Sequence, residues 1–315
     1  GLGRGAARAA ILWPGADWRS LGLKAAIFVP RPRYALSGVT RLLDPGPEIA
    51  PGIHPTAVIG AGAEISDGAA IGPFVVIGAR ARIGARARIA SHASVAEDAV
   101  IGEDALLMQG VRIGARVRIG DRFIAQPGVV VGGDGLSFVT PEKSAVESVR
   151  ESMGQADDAA RQSWTRIHSL GSVVIGDDVE LGANATIDRG TIRDTRIGDG
   201  CKIDNLVMVG HNVVVGRDCL FAGQAGVAGS ATIGDRVVLG GKVGVADNIF
   251  VGDDVVAAGG TKIVSNVPAG RAVMGYPAMK METHVAVYKG LRRLPRLFEQ
   301  VAALQKAVSK TEQND

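Results

Sequence analysis

Histidine is the side chain whose ordinary pKa lies nearest neutrality, so it is the first candidate for moving protons. The 315-residue chain has five: His54, His92, His168, His211 and His284. His211 lies in Val209-Gly210-His211-Asn212-Val213-Val214-Val215-Gly216, and three hexads further on comes Gly229, in Ala228-Gly229-Ser230. A chain that returns to the same place every three hexads would set this proton acceptor beside a backbone without a Cβ. Such a backbone N–H can be approached closely. A general base next to an exposed amide donor is the minimal machinery of acyl transfer, because one group deprotonates the nucleophile while the other holds the oxyanion.

The element that would impose this spacing is a repeat of six. From Ile53 a branched apolar residue returns at Ile59, Ile65, Ile71, Ile77, Ile83, Ile89, Val95, Ile101, Leu107, Ile113 and Ile119, then Ala125 and Val131. The residue after it is often glycine, as at Gly60, Gly72, Gly78, Gly84, Gly102, Gly114 and Gly120, where a turn of the backbone is expected. Two residues before it sits a second small or branched residue, such as Ala57, Ala63, Val75, Ala81 or Ala93. The period resumes at Ile175, Leu181 and Ile187, shifts by ten residues to Ile197, and continues to Ile263. A helix needs a period of 3.6 and a sandwich strand a period of two. Six fits the hexapeptide repeat of a parallel β-helix, in which each hexad is one short strand plus a turn.

Composition agrees. The chain has 44 glycines but only 4% aromatic residues, and 46% of it is hydrophobic. That excludes disorder and a core of large rings, and no Gly-x-y period suggests collagen. Thirty-five basic against 32 acidic side chains leave a net charge of +3, too little to indicate nucleic-acid binding. The second half of the repeat holds only His211, so a three-histidine zinc site is not expected. No phosphate-cradling Gly-x-x-x-x-Gly-Lys-Ser/Thr loop is present, and no cofactor is expected. The two cysteines, Cys201 and Cys219, are three hexads apart in the small inward phase and read as stacked, reduced core fillers of a cytoplasmic protein. No apolar run reaches the ~18 residues of a transmembrane segment.

Three segments leave the repeat. Residues 1–47 carry Trp13, Trp18, Phe28 and Tyr34 and read as the remnant of a small separate domain. Residues 133–170 are a polar insertion, of the kind more often functional than accidental. Residues 277–315 read as a helical tail, with apolar Val285, Leu291, Leu294, Leu297, Val301 and Leu304. Pro295 is expected to kink or divide that tail. The outward arginines Arg80, Arg82, Arg86, Arg88, Arg112, Arg116, Arg118 and Arg122 read as a solvated face. The tail cluster Lys289, Arg292, Arg293 and Arg296 is a candidate dock for an acidic protein.

The words Thr186-Ile187-Asp188-Arg189-Gly190-Thr191, Ile203-Asp204-Asn205 and Gly210-His211-Asn212-Val213-Val214-Val215-Gly216 resemble those of the UDP-3-O-(3-hydroxyacyl)glucosamine N-acyltransferases of lipid A synthesis. The resemblance covers roughly residues 45–300. It implies a left-handed β-helix over 48–276, three hexads to a coil and about ten coils in all, assembled as a homotrimer, with residues 1–47 matching the end of an α/β uridine-binding domain. It also implies transfer of a 3-hydroxyacyl chain from acyl carrier protein to the 2-amino group of a UDP-linked, O-acylated glucosamine. By that resemblance His211 is the general base, Asp204 orients it, the amide of Gly229 stabilises the oxyanion, and Arg292, Arg293 and Arg296 meet the carrier. Asn248 stands where the family often has a second histidine and is read as substrate-binding. Met208 replaces a polar residue, and Asp134-Gly135-Leu136 resembles a family Asp-Gly-Phe word. The alternatives are the O-acyltransferase of the same pathway and another hexapeptide acetyltransferase.

Overall fold

Each hexad folds as a two-residue strand followed by a turn, as in Val76–Ile77, Arg82–Ile83 and Arg88–Ile89. Strands three hexads apart pair in parallel, so Ser94 lies opposite Val76 on one side and Arg112 on the other. The computed structural model describes residues 5–144, 147–148, 163–275 and 277–311. Among these, the strands of the repeat form three faces of ten, nine and eleven strands, which make the expected ten or so coils of a parallel β-helix.

The interior is a narrow apolar column. Ile77, Val95, Ile113 and Val131 point inward from successive coils and are at most 2% exposed, and Val75, Ala93, Val111 and Val129 fill the small phase between them. Among the described residues only two aromatic side chains, Phe123 and Phe221, enter this core. The low aromatic content is therefore a consequence of the prism's width.

The hexad glycines serve a different purpose from the turning role expected of them. Left-handed backbone falls at corner positions held by ordinary residues, such as Arg80 (φ +56°), Asp98 (+57°) and Asn212 (+62°). Gly78 does not have positive φ; a Cβ there would stand 2.5 Å from the Glu97 nitrogen of the next coil, and one at Gly114 would stand 2.6 Å from the Gly132 carbonyl oxygen. These glycines let one coil's backbone settle onto the next.

Two interruptions share one corner. The strand Val130–Asp134 runs on beyond the usual two residues and leads into the insertion, which returns at Val173–Ile175. Within it Phe138–Val139 and Thr165–Arg166 form a short antiparallel hairpin. The ladder resumes without loss, with Val174 opposite Arg118. The ten-residue shift is a four-residue extension of the same corner one coil later, between Thr186–Arg189 and Thr195–Ile197.

The chain divides into two compact units, Gly1–Ile49 and Ala50–Asp315. The first holds two parallel strands, Ala9–Leu12 and Ala25–Phe28, and the helix Pro32–Leu43, which begins on a proline as helices tolerate. In the second, the strand Ala272–Val273 ends the ladder and a helix follows over Met281–Thr311. That helix runs unbroken through Pro295, so the expected division does not occur. A proline costs one backbone hydrogen bond, and the rest of the exposed helix bridges it. Among the described residues no helix is long and apolar enough to cross a membrane. Cys201 and Cys219 are buried free thiols on adjacent coils, donating at 3.1 Å to the carbonyls of Gly216 and Gly234 respectively.

Candidate active site

His211 occupies the corner between the ten-strand and nine-strand faces, directly after the strand Met208–Val209. The two interruptions described above open at this corner, on the coils just before it. The imidazole is half-buried between two glycines. A Cβ on Gly135, from the start of the insertion, would lie 2.6 Å from the His211 Cβ, and one on Gly229, one coil on, would lie 2.7 Å from its Nε2. Both contacts are open only to glycine.

The neighbouring Asn212 fixes the ring. Its side chain folds into the corner, leaving the residue 6% exposed. Its amide nitrogen donates to the Arg193 carbonyl at 2.9 Å, its Oδ1 accepts the Thr191 N–H at 3.1 Å, and its own backbone N–H donates to Thr195 Oγ1 at 2.9 Å. The four-residue extension is thus the socket for Asn212. With a donor's target on one side and a backbone donor on the other, the amide has a single orientation. The same Oδ1 lies 3.0 Å from His211 Nδ1 and is an acceptor, so Nδ1 is the donor. Nε2 is the nitrogen that faces Gly229.

Gly229 offers the complementary group. Its carbonyl accepts the Asn248 N–H at 3.1 Å, and Ser230 N–H donates to the His211 carbonyl at 2.9 Å, but the Gly229 N–H has no acceptor among the described residues. The corner therefore holds an imidazole nitrogen, Nε2, on the side of Gly229 and its unused amide donor.

Carboxylates lie on the other side. Asp188 is half-buried on the coil before His211, paired in register with Gly133, while Asp134 pairs with Arg189. Burial pushes the Asp188 carboxyl up to about 6, against the opposing pull of His211 and with a further push from Asp134. Arg189 is turned away, donating to the carbonyls of Gly132 at 2.9 Å and Ala115 at 2.8 Å, where it staples the start of the insertion. Arg166 of the hairpin stands 3.9 Å from Asp134 and lies over the Phe138 ring.

The sequence-based candidates divide accordingly. The structure brings His211, Gly229 and Asn248 to one corner; Asn248 lies one coil beyond Gly229, its amide donating to Asp247 at 3.0 Å. It does not bring Asp204 to His211 within one chain. Asp204 follows the strand Lys202–Ile203 on the eleven-strand face, accepts the Asn205 N–H at 2.7 Å, and lines a separate surface cavity of about 410 Å³ with Gln126, Glu180, Lys202 and Phe221. Within one chain the side chain that contacts the imidazole is Asn212. Arg292, Arg293 and Arg296 are exposed on the terminal helix, where Arg293 and Arg296 flank a groove lined by Val287, Leu291, Leu294 and Leu297. Asn212, Asp188 and Gly135 are the residues sequence reasoning passed over, although all three lie inside words it singled out.

Comparison with known proteins fits this corner. Residues 194–229 match the family described as bacterial transferase hexapeptide (six repeats), and residues 172–211 match the hexapeptide repeat of succinyl-transferase. An Arabidopsis UDP-N-acetylglucosamine acyltransferase of known structure aligns with a TM-score of 0.60 over 71% of each chain at 22% identity, which shows the fold, a left-handed parallel β-helix. The UDP-3-O-acylglucosamine N-acyltransferase of Ruegeria pomeroyi is 70% identical over 98% of this chain and 85% of its own. That of Paracoccus denitrificans is 72% identical over 96% of this chain and 83% of its own. With a histidine beside a free amide at one corner of the coil, and identity of this extent, the chain belongs to the UDP-3-O-acylglucosamine N-acyltransferase family.

Proposed function

We propose that the protein transfers a 3-hydroxyacyl chain from acyl carrier protein to the 2-amino group of UDP-3-O-(3-hydroxyacyl)glucosamine. The observation that carries this reading is the contact of His211 Nδ1 with the Asn212 Oδ1, which turns Nε2 towards Gly229 and its unused N–H. Nε2 takes a proton from the amine as its nitrogen attacks the thioester carbonyl, and the Gly229 N–H receives the charge that develops on oxygen. The carbon–sulfur bond then breaks, and the imidazolium returns its proton to the departing thiolate. The products are an amide and the free carrier thiol.

The same reading makes the enzyme a cytoplasmic homotrimer, uses Asn248 to hold part of the substrate, and gives the Gly1–Ile49 unit a share in binding the uridine nucleotide. Arg292, Arg293 and Arg296 dock the acidic carrier protein; the apolar groove beside them supports this, since it can receive a carrier's apolar patches while the guanidinium groups meet its carboxylates. The test is to supply 3-hydroxyacyl carrier protein with UDP-3-O-acylglucosamine or with UDP-N-acetylglucosamine as acceptor. Amide formation on the first is expected. Ester formation on the second alone overturns the assignment in favour of the O-acyltransferase.

A further inference from the structure

An amine acceptor poses a problem that an alcohol does not. It arrives at neutral pH largely as an ammonium ion, which has no lone pair and must lose one proton before it can attack and another as the amide forms. His211 Nε2 accounts for one of these. The corner holds a second acceptor in the right order along the coil axis. Asp188 stands on the coil before His211, in register with Gly133, and Gly229 stands on the coil after it. An acceptor nitrogen within hydrogen-bond reach of Nε2 then has the free amide on one side, where the acyl carbonyl must go, and the Asp188 carboxyl on the other.

We propose that Asp188 is a catalytic residue, which captures the acceptor as its ammonium ion and takes the first proton, leaving a free amine for His211. The proposal rests on the function inferred above. In balance, the ammonium and the Asp188 carboxylate give an amine and a carboxylic acid. His211 takes the second proton as the nitrogen–carbon bond forms and passes it to the thiolate, and Asp188 releases the first to solvent after the product leaves. The surroundings suit this. Burial and the facing Asp134 hold the Asp188 carboxyl at about 6, ionised at neutral pH yet a far better proton acceptor than an ordinary aspartate. Of the other charged groups around it, His211 favours the ionised form, Arg189 is occupied by two carbonyls, and Arg166 faces Asp134.

The experiment is the pH profile of kcat/KM for the wild type, Asp188→Asn and Asp188→Glu, with UDP-3-O-acylglucosamine and 3-hydroxyacyl carrier protein. Near pH 7 Asp188→Asn is expected to lose on the order of 10²-fold, the usual worth of a positioned proton acceptor. Its deficit should shrink steadily as pH rises through the pKa of the acceptor amine, because the free amine is then supplied by the solvent. Asp188→Glu should restore a large part of the activity at pH 7. A deficit that stays constant across the amine's pKa, or activity in Asp188→Asn equal to wild type at pH 7, overturns the proposal. Should Asp188→Asn fail to fold, a pH-independent deficit in Asp188→Glu has the same force. Failure of the wild type to acylate any amine refutes the proposed function instead, so the two outcomes are distinct.

Discussion

His211 Nδ1 donates to Asn212 Oδ1 at 3.0 Å, so the proposed base is oriented by the residue next to it in the chain. Adjacent residues on a coil usually point to different sides. Here the left-handed backbone at Asn212, with φ of +62°, turns its amide back beneath the imidazole and into the socket made by Thr191, Arg193 and Thr195.

Replacing Asn212 with Ala is therefore expected to affect both activity and stability. Loss of the tautomer-fixing acceptor should lower kcat by roughly 10²-fold with little change in KM. The orphaned Thr191 N–H and Arg193 carbonyl should cost about 1–3 kcal/mol of stability. Steady-state kinetics beside a denaturant titration checks both halves, and a kcat within twofold of wild type would remove Asn212 from the mechanism.

Gly229→Ala separates the ring from the fold. The added methyl would stand 2.7 Å from Nε2, while the backbone at Gly229 needs no left-handed conformation. The backbone N–H is kept, but the methyl crowds Nε2 and the space between it and that N–H, so turnover should fall on the order of 10²-fold, the usual worth of a positioned base. The melting temperature should change little, and differential scanning calorimetry alongside the assay decides this.

The hexad glycines make a prediction about stability alone. Gly78→Ala drives a methyl into the Glu97 backbone nitrogen at 2.5 Å and should cost about 1–3 kcal/mol. Gly226→Ala, on an outer face where an added Cβ meets nothing within 4 Å, should stay within about 0.5 kcal/mol of wild type. Equal melting temperatures for the two variants would count against close approach as the reason for glycine.

Asp188 should weaken the fold above neutrality. Its folded pKa of about 6 lies above the ordinary value of 3.8, so the folded state binds this proton more tightly than the unfolded one. The resulting stability is present below about pH 4 and is lost as pH rises through about 6. Asp188→Asn should therefore be the more stable protein at pH 8, by about 1–2 kcal/mol once partial exposure is discounted, with the gap closing towards pH 4. Melting curves at these two pH values test the sign. A residue that is retained against stability in this way is one expected to act on a substrate.

Charge reversal of Arg292, Arg293 and Arg296 to Glu should raise KM for the carrier-bound donor and leave kcat at saturation near wild type. In the wild type that KM should climb with added salt, since exposed charges are screened beyond about 10 Å at 0.1 M. A salt-independent KM would move the carrier's dock elsewhere.

The coils are legible because a period of six with a small inward partner marks a parallel β-helix, and because the three hexads per coil that the resemblance supplies then set which residues stack. His211 and Gly229 come from that arithmetic directly. It also separates Asp204 from His211, since Asp204 follows Ile203 and His211 follows Val209, inward residues of successive hexads on different faces. The resemblance draws the two together; counting along the coil does not. Asn212 is hidden for another reason, because nothing in a hexad says which corner side chains fold back when the backbone turns left-handed. The glycines mislead because a tight turn and a close approach leave the same residue in the sequence. The insertion's contact through Gly135 depends on loop geometry, which no period encodes.

The ladder from Arg118 to Val174 closes across the whole insertion as cleanly as that from Arg112 to Val130 closes across three plain hexads. Pairing in this tube counts turns of the coil and is indifferent to the chain length spent at a corner. The wall beside His211 is thus an interchangeable part. A segment of different length or polarity can be exchanged there, reshaping what the corner admits, while every rung above and below keeps its place.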